Sequence, residues 1–210
     1  RLARAYLSKA DLPVEEQYGA YTALLDDNFA NDLMGEAPYE NLYERYMGEC
    51  DSEDLLDKLM YYDLKTSLPE QLLMLTDKMT MATSLEARVP FLDHRVVEFA
   101  ARIPVQDKIR GSELRWIQKE TFRGKLPNFV YEQKKKGFGA PIGVWLRTDL
   151  KEMVADLLSV ERLRAQGIFN ANLVQTMISD HQAMRADYTD QLLALVGFQI
   201  WTDEYKSALA

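Results

Sequence analysis

Basic side chains concentrate in one part of an otherwise acidic chain, and binding chemistry is expected there first. The window from Val105 to Arg147 holds ten Lys and Arg residues against four Asp and Glu, whereas the whole chain of 210 residues has a formal net charge of −8. The densest point is the run 134–136, three lysines followed by Gly137, Phe138 and Gly139. Bases that converge on a short loop attract an anion, most simply a polyphosphate. A solvated lysine run without a ligand is the alternative.

Cysteine and histidine offer little further chemistry. Cys50 is the only cysteine, so neither an internal disulfide nor a cysteine-based zinc site is expected. Its acidic neighbours disfavour a reactive thiolate. His94 and His181 are far apart in the sequence and lack partner carboxylates at ligand spacing. We therefore predict no metal site in this chain.

The composition is that of an ordinary globular protein, with 47% apolar and 28% charged residues. Disordered, collagen-like and low-complexity classes are therefore excluded. No apolar run approaches the roughly 20 residues of a membrane helix, and the net negative charge argues against coating a nucleic acid. The chain begins at Arg1 without a signal-like apolar core. We expect a cytoplasmic protein and a piece of something longer.

Apolar residues recur at helical spacing along most of the chain, and alternating strand patterns are nearly absent, which predicts a mainly α fold. Ser84 to Pro90 is predicted to be a connector, and 128–141 a polar segment with one turn of helix. The predicted helices run from Val14 to Leu33, from an N-cap at Asp51 or Ser52 to Lys65, from Pro69 to Met81, from an N-cap at Asp93 to Ile103, from Ser112 to about Gly124, and from Pro141 to Leu158, with two more in the last forty residues that break near Asp187.

Two segments carry a resemblance to a known family. Residues 73–94 read LMLTDKMTMATSLEARVPFLDH, and residues 126–127 (LP) precede KKKGFGAP at 134–141 and WL at 145–146. Together they resemble the C-terminal part of the synthetase domain in the glutamine-hydrolysing asparagine synthetases. The resemblance runs from about Asp54 to Trp201. We accordingly divide the chain into a helical lead-in, residues 1–50, and a helical C-terminal part of that domain, residues 51–210.

The resemblance implies an enzyme that adenylates a carboxylate, by default that of aspartate, with ATP and releases pyrophosphate. Ammonia from glutamine then displaces AMP. The family uses ATP and magnesium, a glutaminase domain that begins with cysteine, and a Ser-Gly-Gly-x-Asp-Ser loop around the pyrophosphate. Residue 1 is Arg1, and no Ser-Gly-Gly occurs in the chain. The fold class is therefore the multi-helix C-terminal portion of an α/β adenine-nucleotide (PP-loop type) domain, with the nucleotide-binding sheet absent.

Such a fragment is expected to be inactive alone and to bind no cofactor, because the magnesium ligands belong on the missing phosphate side. The expected partners are the missing glutaminase and PP-loop regions of the same polypeptide and a small-molecule carboxylate, with no nucleic acid and no membrane. A homodimer is left open.

The resemblance identifies Lys135 as the catalytic residue, since the family lysine that reaches into the cleft stands three residues before the loop phenylalanine, here Phe138. A desolvated ammonium there stabilises charge that builds on the α-phosphate and the departing pyrophosphate. Gly137 and Gly139 give the backbone freedom to turn the lysine inward. The lysines on either side are interpreted as surface charges.

Three further residues are candidates for substrate or phosphate binding. Arg115 stands where many relatives carry a lysine, and it is either an anion contact or an exposed helix arginine. Asp77 either faces a substrate amine or caps local backbone. Glu86 either lines the cleft beside the substrate carboxylate or forms a structural tie with Arg88.

Two other functional classes stay open at this stage. One is a free-standing helical module of the same ancestry that serves as a binding or scaffold protein. The other is a helical nucleic-acid-binding domain that uses the basic window, against which the net charge and the lack of an aromatic stacking series both speak.

Overall fold

A computed structural model describes residues 9–36, 40–133 and 139–205, and within these ranges the chain is mainly helical. This confirms the predicted mainly α class. That the chain is part of a PP-loop type domain stays a prediction. The helices are α1 (Val14–Thr22), α2 (Asp27–Met34), α3 (Leu42–Glu49), α4 (Leu55–Lys65), α5 (Met74–Met81), α6 (His94–Ala101), α7 (Val105–Lys108), α8 (Trp116–Phe122), α9 (Phe129–Glu132), α10 (Ile142–Arg147), α11 (Lys151–Leu157), α12 (Val160–Gln166), α13 (Ala171–Gln182) and α14 (Thr189–Tyr205).

Shorter elements complete the description. Ser67–Leu73 winds as a π-helix directly before α5, and Pro90–Leu92 forms a 3₁₀ turn before α6. The strands found in the described ranges are β1 (Ile109–Arg110) and β2 (Glu113–Leu114), which pair antiparallel with Ile109 opposite Leu114.

The chain divides into two compact units. Unit one comprises the described residues 9–36 and 139–205, and unit two comprises the described residues 40–133. The first and last parts of the sequence thus fold together. The predicted boundary between a lead-in, residues 1–50, and a C-terminal part, residues 51–210, was based on family resemblance. It stays a prediction about where the resemblance begins.

Unit one holds the hydrophobic core. Eleven apolar side chains are buried in it, contributed by α2, by each helix from α10 to α14 and by Leu158 directly after α11. They are Leu33, Leu146, Val154, Leu158, Leu163, Ala171, Val174, Met177, Leu192, Leu195 and Val196. Burial of each large aliphatic side chain contributes about 1.5–3 kcal/mol, so this cluster is the main source of stability in unit one.

The N-terminal segment is tied to this core by backbone contacts as well as by packing. The Asn170 amide donates to the Leu33 carbonyl at 2.7 Å, and its side chain donates to the Asp32 carbonyl at 3.2 Å. The Phe29 ring stacks on Tyr188 with centroids 6.1 Å apart. Two of the carbonyls at the C-terminus of α2 are thereby satisfied by the residue that caps α13.

A buried amide network joins α12 to α14. Gln199 is fully buried, and its side chain exchanges two hydrogen bonds with Gln166, at 2.8 and 2.7 Å. Arg162 donates to the same Gln199 oxygen at 2.7 Å and pairs with Asp203 at 2.7 Å. A buried amide is tolerated here because both its nitrogen and its oxygen have hydrogen-bond partners.

Unit two is built differently, since none of its described residues is buried. The α3–α4 pair meets through edge-on aromatic contacts, Tyr43 against Tyr62 at 5.1 Å and Tyr46 against Tyr61 at 6.3 Å. A half-buried ion pair between Lys108 and Asp57, 2.6 Å long, joins α7 to α4. Unit two therefore gains little stability from a dry core of its own.

The predicted helix from Val14 to Leu33 is wrong, because two helices occupy that range. Ala23 is extended with ψ 131° and ends α1. The Asp26 carboxylate accepts from the Phe29 amide at 2.9 Å and caps α2. The Asp26 cap was a readable signal that the continuous apolar spacing obscured.

Two other helix predictions are wrong, one at its start and one in its middle. Ser112 begins no helix but lies in the turn between β1 and β2, where Gly111 takes φ 59°. The predicted helix from Pro141 to Leu158 breaks at Thr148, whose hydroxyl donates to the Val144 carbonyl at 2.9 Å. Such a bond lets a threonine compete with the helical backbone.

Three other predictions are confirmed, and one cap is displaced. Asp93 caps α6, residues 129–132 form a single turn, and α13 and α14 are separated around Asp187. The cap of α4 is Asp54, which accepts from the Leu56 amide at 2.8 Å, and not Asp51 or Ser52. No helix in the described ranges is long and apolar enough to cross a membrane.

We expect Leu33→Ala to destabilise unit one by roughly 2–5 kcal/mol, because it leaves a cavity in the core. The neighbouring Met34→Ala is the matched control, since Met34 is 46% exposed and its loss should cost no more than about 0.5 kcal/mol. Native-state hydrogen exchange at the Val174 and Met177 amides measures both changes. Equal protection losses in the two variants would contradict the docking of α2.

Candidate functional site

The segment with the strongest family resemblance passes from α5 through an irregular connector to α6. The connector turns away from α5 at Ser84, a non-glycine residue with φ 59°, and the Leu85 amide donates back to the Thr80 carbonyl at 3.0 Å. It ends at the 3₁₀ turn and the Asp93 cap. The predicted connector from Ser84 to Pro90 is confirmed.

The Asp93 carboxylate fixes the far end of this connector. Its Oδ1 accepts from the Arg95 amide at 3.0 Å, and its two oxygens accept from the Arg95 guanidinium at 2.9 and 2.7 Å. These hydrogen bonds hold the pKa of Asp93 below its ordinary value. The bonds from the guanidinium have the larger effect, and the bond from the backbone amide has the smaller one. Asp93 is therefore a structural cap.

Glu86 and Arg88 form an ion pair at 3.0 Å within the connector, and both side chains are largely exposed. This arrangement matches the structural-tie alternative for Glu86. An exposed pair contributes at most about 1 kcal/mol. Because the pair is solvent-exposed, it leaves the Glu86 carboxylate accessible, and cleft lining stays a prediction.

Asp77 lies in the first turn of α5 and is exposed. No hydrogen bond or ion pair of its carboxylate occurs among the described residues, so it does not cap backbone there. The carboxylate remains available to a ligand.

Arg115 takes the left-handed conformation, φ 57°, between β2 and α8. A non-glycine residue pays roughly 1–2 kcal/mol for that conformation. The side chain is exposed and has no hydrogen bond or ion pair in the described part of the chain. Asp77, Glu86 and Arg115 make no such contact with one another, so these three candidates are placed on unit two without being brought together.

Most of the other described bases in the basic window already have internal partners. Lys108 pairs with Asp57, Arg110 with Asp107, Lys119 with Glu113 and Arg123 with Glu120. Arg110 also lies over the Trp116 ring, 3.5 Å from its centroid. The local positive field expected from the sequence is therefore weaker around 105–133 than the count of charges suggests.

The remaining candidate, Lys135, lies outside the described residues, as do its neighbours in the run 134–138. Its role as the catalytic lysine stays a prediction. The described residues contain no group of three or more His, Cys, Asp or Glu side chains that could hold a metal ion.

One polar centre was missed by sequence reasoning, which considered His181 as a metal ligand and as part of the late pattern His181…Asp187…Trp201 of the family resemblance. His181 is fully buried, with its Nε2 3.1 Å from the Gly143 carbonyl oxygen and its Nδ1 3.2 Å from the Tyr188 amide. Arg147 Nη1 lies 3.2 Å from the same Nε2. The only signal for this centre in the sequence was the spacing of His181 and Asp187. Nothing in the sequence indicated the contact with Gly143, because Gly143 is 38 residues away from His181.

Comparison with known proteins gives a consistent result. The sequence profile described as asparagine synthase matches residues 1–203. Asparagine synthetase [glutamine-hydrolyzing] 1 of Bacillus subtilis is 27% identical over 94% of this chain and 32% of its own length. Asparagine synthetase B of Escherichia coli is 38% identical over 41% of this chain and 16% of its own length. The chain spans about a third of the length of the first of these relatives. No solved structure was found to match.

We expect Arg95→Met to raise the pKa of Asp93 towards its ordinary value, because the guanidinium that stabilises the carboxylate is removed. The lowered pKa means that the Asp93 cap stabilises the fold above that ordinary value and that this stability is lost as the pH falls through the folded-state pKa. A carboxyl-carbon NMR titration measures the pKa. Arg88→Met is the control and should leave Asp93 unchanged; identical titrations in all three proteins would contradict the assignment.

Proposed function

The chain belongs to the asparagine synthase family, and we propose that it forms the helical part of the synthetase domain of a glutamine-dependent amidotransferase. The observation that carries the proposal is the family match over residues 1–203 together with relatives that are about three times as long. The activity of the longer protein is proposed for the polypeptide of which this chain is a part.

The proposed reaction joins ammonia to a carboxylate in two steps. A carboxylate oxygen attacks the α-phosphorus of ATP, and pyrophosphate leaves with the electrons of the broken P–O bond. Ammonia then attacks the acyl carbon, AMP leaves, and the nitrogen loses a proton. Aspartate is the proposed acceptor by family default, and AMP release measured against a panel of carboxylic acids identifies it.

Lys135 is proposed to stabilise the first step. Negative charge grows on the α-phosphate and on the leaving pyrophosphate in the transition state, and an ammonium held there binds the transition state better than the ground state. The internal ion pairs of residues 105–133 support this choice. Since Lys108, Lys119 and Arg123 are already matched with carboxylates, these three bases of the window are less available to a phosphate.

Asp77, Glu86 and Arg115 are proposed as secondary contacts of substrate or phosphate. Asp77 and Arg115 lack an internal partner in the described residues, so a ligand would not have to break an existing pair. Glu86 would exchange its exposed pair with Arg88 for a contact to the substrate, at little cost. Arg115 would offer a planar fork in place of the point charge of a lysine.

The remainder of the synthetase domain is proposed as the partner of unit two. Large apolar side chains on and beside the connector are exposed to an unusual degree, including Met79 at 61%, Leu85 at 62%, Phe91 at 64% and Phe99 at 66%. Clustered exposed apolar residues mark an interaction surface. A partner that covers them would give unit two the dry core that its own described residues do not build.

Magnesium is proposed to accompany ATP, as in the family. The described residues offer no cluster of ligands for it, so no step is assigned to it here. Its ligands are proposed to lie in the part of the longer relatives that has no counterpart in this chain.

We expect the isolated 210-residue chain to show no exchange of pyrophosphate into ATP, because it lacks a Ser-Gly-Gly-x-Asp-Ser loop to hold the phosphates. Exchange of radiolabelled pyrophosphate measures this. The complete polypeptide, assayed in parallel, is the positive control. Measurable exchange by the pure chain would contradict the proposal that the phosphates of ATP are held by a part of the longer polypeptide that this chain lacks.

In the complete polypeptide, Lys135→Ala should lower the rate of pyrophosphate exchange by roughly 10²–10³ and leave glutamine hydrolysis unchanged, because the glutaminase works elsewhere. Lys134→Ala is the matched control, with the same charge change one residue away, and it should leave exchange near the wild-type rate. Equal losses in both variants, or loss of both activities in Lys135→Ala, would contradict a specific role for this lysine.

A further inference from the structure

Helix α14 has two apolar faces, of which the core of unit one uses only one. Residues 191–201 of this helix include no charged side chain. The inner face contributes Leu192, Leu195 and Val196 to the core. On the outer face, Leu193, Ile200 and Trp201 are exposed. A helix that is apolar all round is normally buried on every side, so the outer face is expected to be covered in the complete polypeptide.

The middle of this outer face has the shape of a notch. Ala194 and Gly197 lie among the three large side chains, about one turn apart, and both are exposed. In the described part of the chain, no atom beyond the local helical backbone lies within 4 Å of the place that a Cβ of Gly197 would take. Small residues between large ones form a groove into which the side-chain ridge of a second helix can pack. A glycine is unfavourable in the middle of a helix, and a close approach by another helix gives it a use.

Carboxylates stand at both ends of the outer face. Asp190 and Glu204 are exposed, lie seven residues before and after Gly197, and are about 21 Å apart along the helix. Neither forms an ion pair with another described residue, whereas the neighbouring Asp203 is paired with Arg162. The C-terminal end of a helix carries partial negative charge, and α14 has no basic residue in its last turn. Both ends therefore favour a positively charged partner.

A row of aromatic rings lies beside the Glu204 end. Phe169, which packs against the core, meets Phe198 edge-on with centroids 5.2 Å apart. Phe198 is followed by Trp201 at 6.0 Å and by Tyr205 at a further 5.9 Å. The last two rings are exposed. Since the face of a tryptophan attracts a cation more strongly than any other side-chain ring, a cation that pairs with Glu204 can also contact Trp201.

We propose that the outer face of α14, residues 190–204, binds a helix from the part of the longer polypeptide that has no counterpart in this chain. That helix is apolar in its middle and carries Lys or Arg at both ends. Strongly apolar faces are typical of permanent contacts, and relatives about three times as long offer such a contact within one polypeptide. This inference rests on the proposed function, which makes the chain one part of such a polypeptide.

Two other occupants fit the charges less well. In an antiparallel pair of two copies of this chain, Gly197 would face Gly197, and each Asp190 would face the Glu204 of the other copy. Like charges that meet across an interface weaken it. A membrane surface with anionic lipids would repel the same carboxylates. A basic-ended helix satisfies the apolar middle and both acidic ends together.

The experiment is thiol labelling on the outer face. Ala194→Cys or Leu193→Cys is combined with Cys50→Ser, in the 210-residue chain and in the complete polypeptide, and mass spectrometry follows maleimide labelling of the new cysteine. We expect rapid labelling in the chain alone and labelling at least about a hundredfold slower in the complete polypeptide, because the site must first open. Met184→Cys is the matched control, since Met184 is exposed outside α14, and it should react at similar rates in both.

Slow labelling at either position of α14 supports the proposal. Rapid labelling at both in the complete polypeptide, or an equal slowing at position 184, would overturn it. Protection that rises with protein concentration would indicate a second copy. Protection that requires added vesicles of phosphatidylserine and phosphatidylcholine would indicate a membrane. Either of these two results would also overturn the proposal.

Charge reversal tests the basic ends of the covering helix. In the complete polypeptide, Asp190→Lys together with Glu204→Lys should speed the labelling of position 194 at least about tenfold, because like charges then meet at both ends. Glu152→Lys together with Glu161→Lys is the matched control, with the same charge change on exposed positions of unit one, and it should leave the rate unchanged. Equal rates in the two double variants would overturn the basic-ended helix.

Pyrophosphate exchange in the same samples distinguishes failure of this inference from failure of the proposed function. A complete polypeptide that exchanges pyrophosphate while α14 labels rapidly would overturn the inference and leave the proposed function intact. A complete polypeptide that is protected at position 194 but shows no exchange with any carboxylic acid would instead overturn the proposed function.

Discussion

Unit one depends on a polar constraint as much as on its apolar core. The His181 imidazole is fully buried, and its two nitrogens hold a carbonyl of α10 and the amide just before α14. Leaving either partner unsatisfied in a buried site would cost about 1–3 kcal/mol. The two hydrogen bonds therefore fix the positions of α10, α13 and α14 relative to one another at this point. Core packing alone tolerates small shifts. A hydrogen-bonded ring beside a glycine without room for a side chain tolerates much less.

Unit two follows the opposite design. None of its described residues is buried, and exposed apolar side chains gather around the α5–α6 segment that carries the family resemblance. Its internal contacts are aromatic edges, ion pairs and one two-stranded hairpin. A surface of this kind is expected of an element that completes a larger domain. The contrast between the units agrees with a chain that spans about a third of its longer relatives.

Local signals could be read from the sequence, whereas tertiary ones could not. Asp93 was predicted to be a cap because an Asp directly before an amphipathic helix most often accepts a hydrogen bond from a backbone amide of the first turn. The break at Thr148 went unseen because a threonine that leaves a helix looks the same in sequence as one that stays. The same limit applies to the site. Lys135, Asp77, Glu86 and Arg115 came from motif positions, but nothing in the spacing linked Gly143 to His181, whose contact is set by how α10 and α13 pack.

The central claim is that one ammonium of this chain faces the phosphates of ATP. The most direct measurement is an experimental structure of the complete polypeptide with a non-reactive acyl-adenylate analogue and pyrophosphate bound. The account predicts the Lys135 Nζ within about 3 Å of a phosphate oxygen, the distance of a charge-assisted hydrogen bond. A Lys135 side chain that extends into bulk solvent, with the phosphates neutralised by other groups, would contradict it.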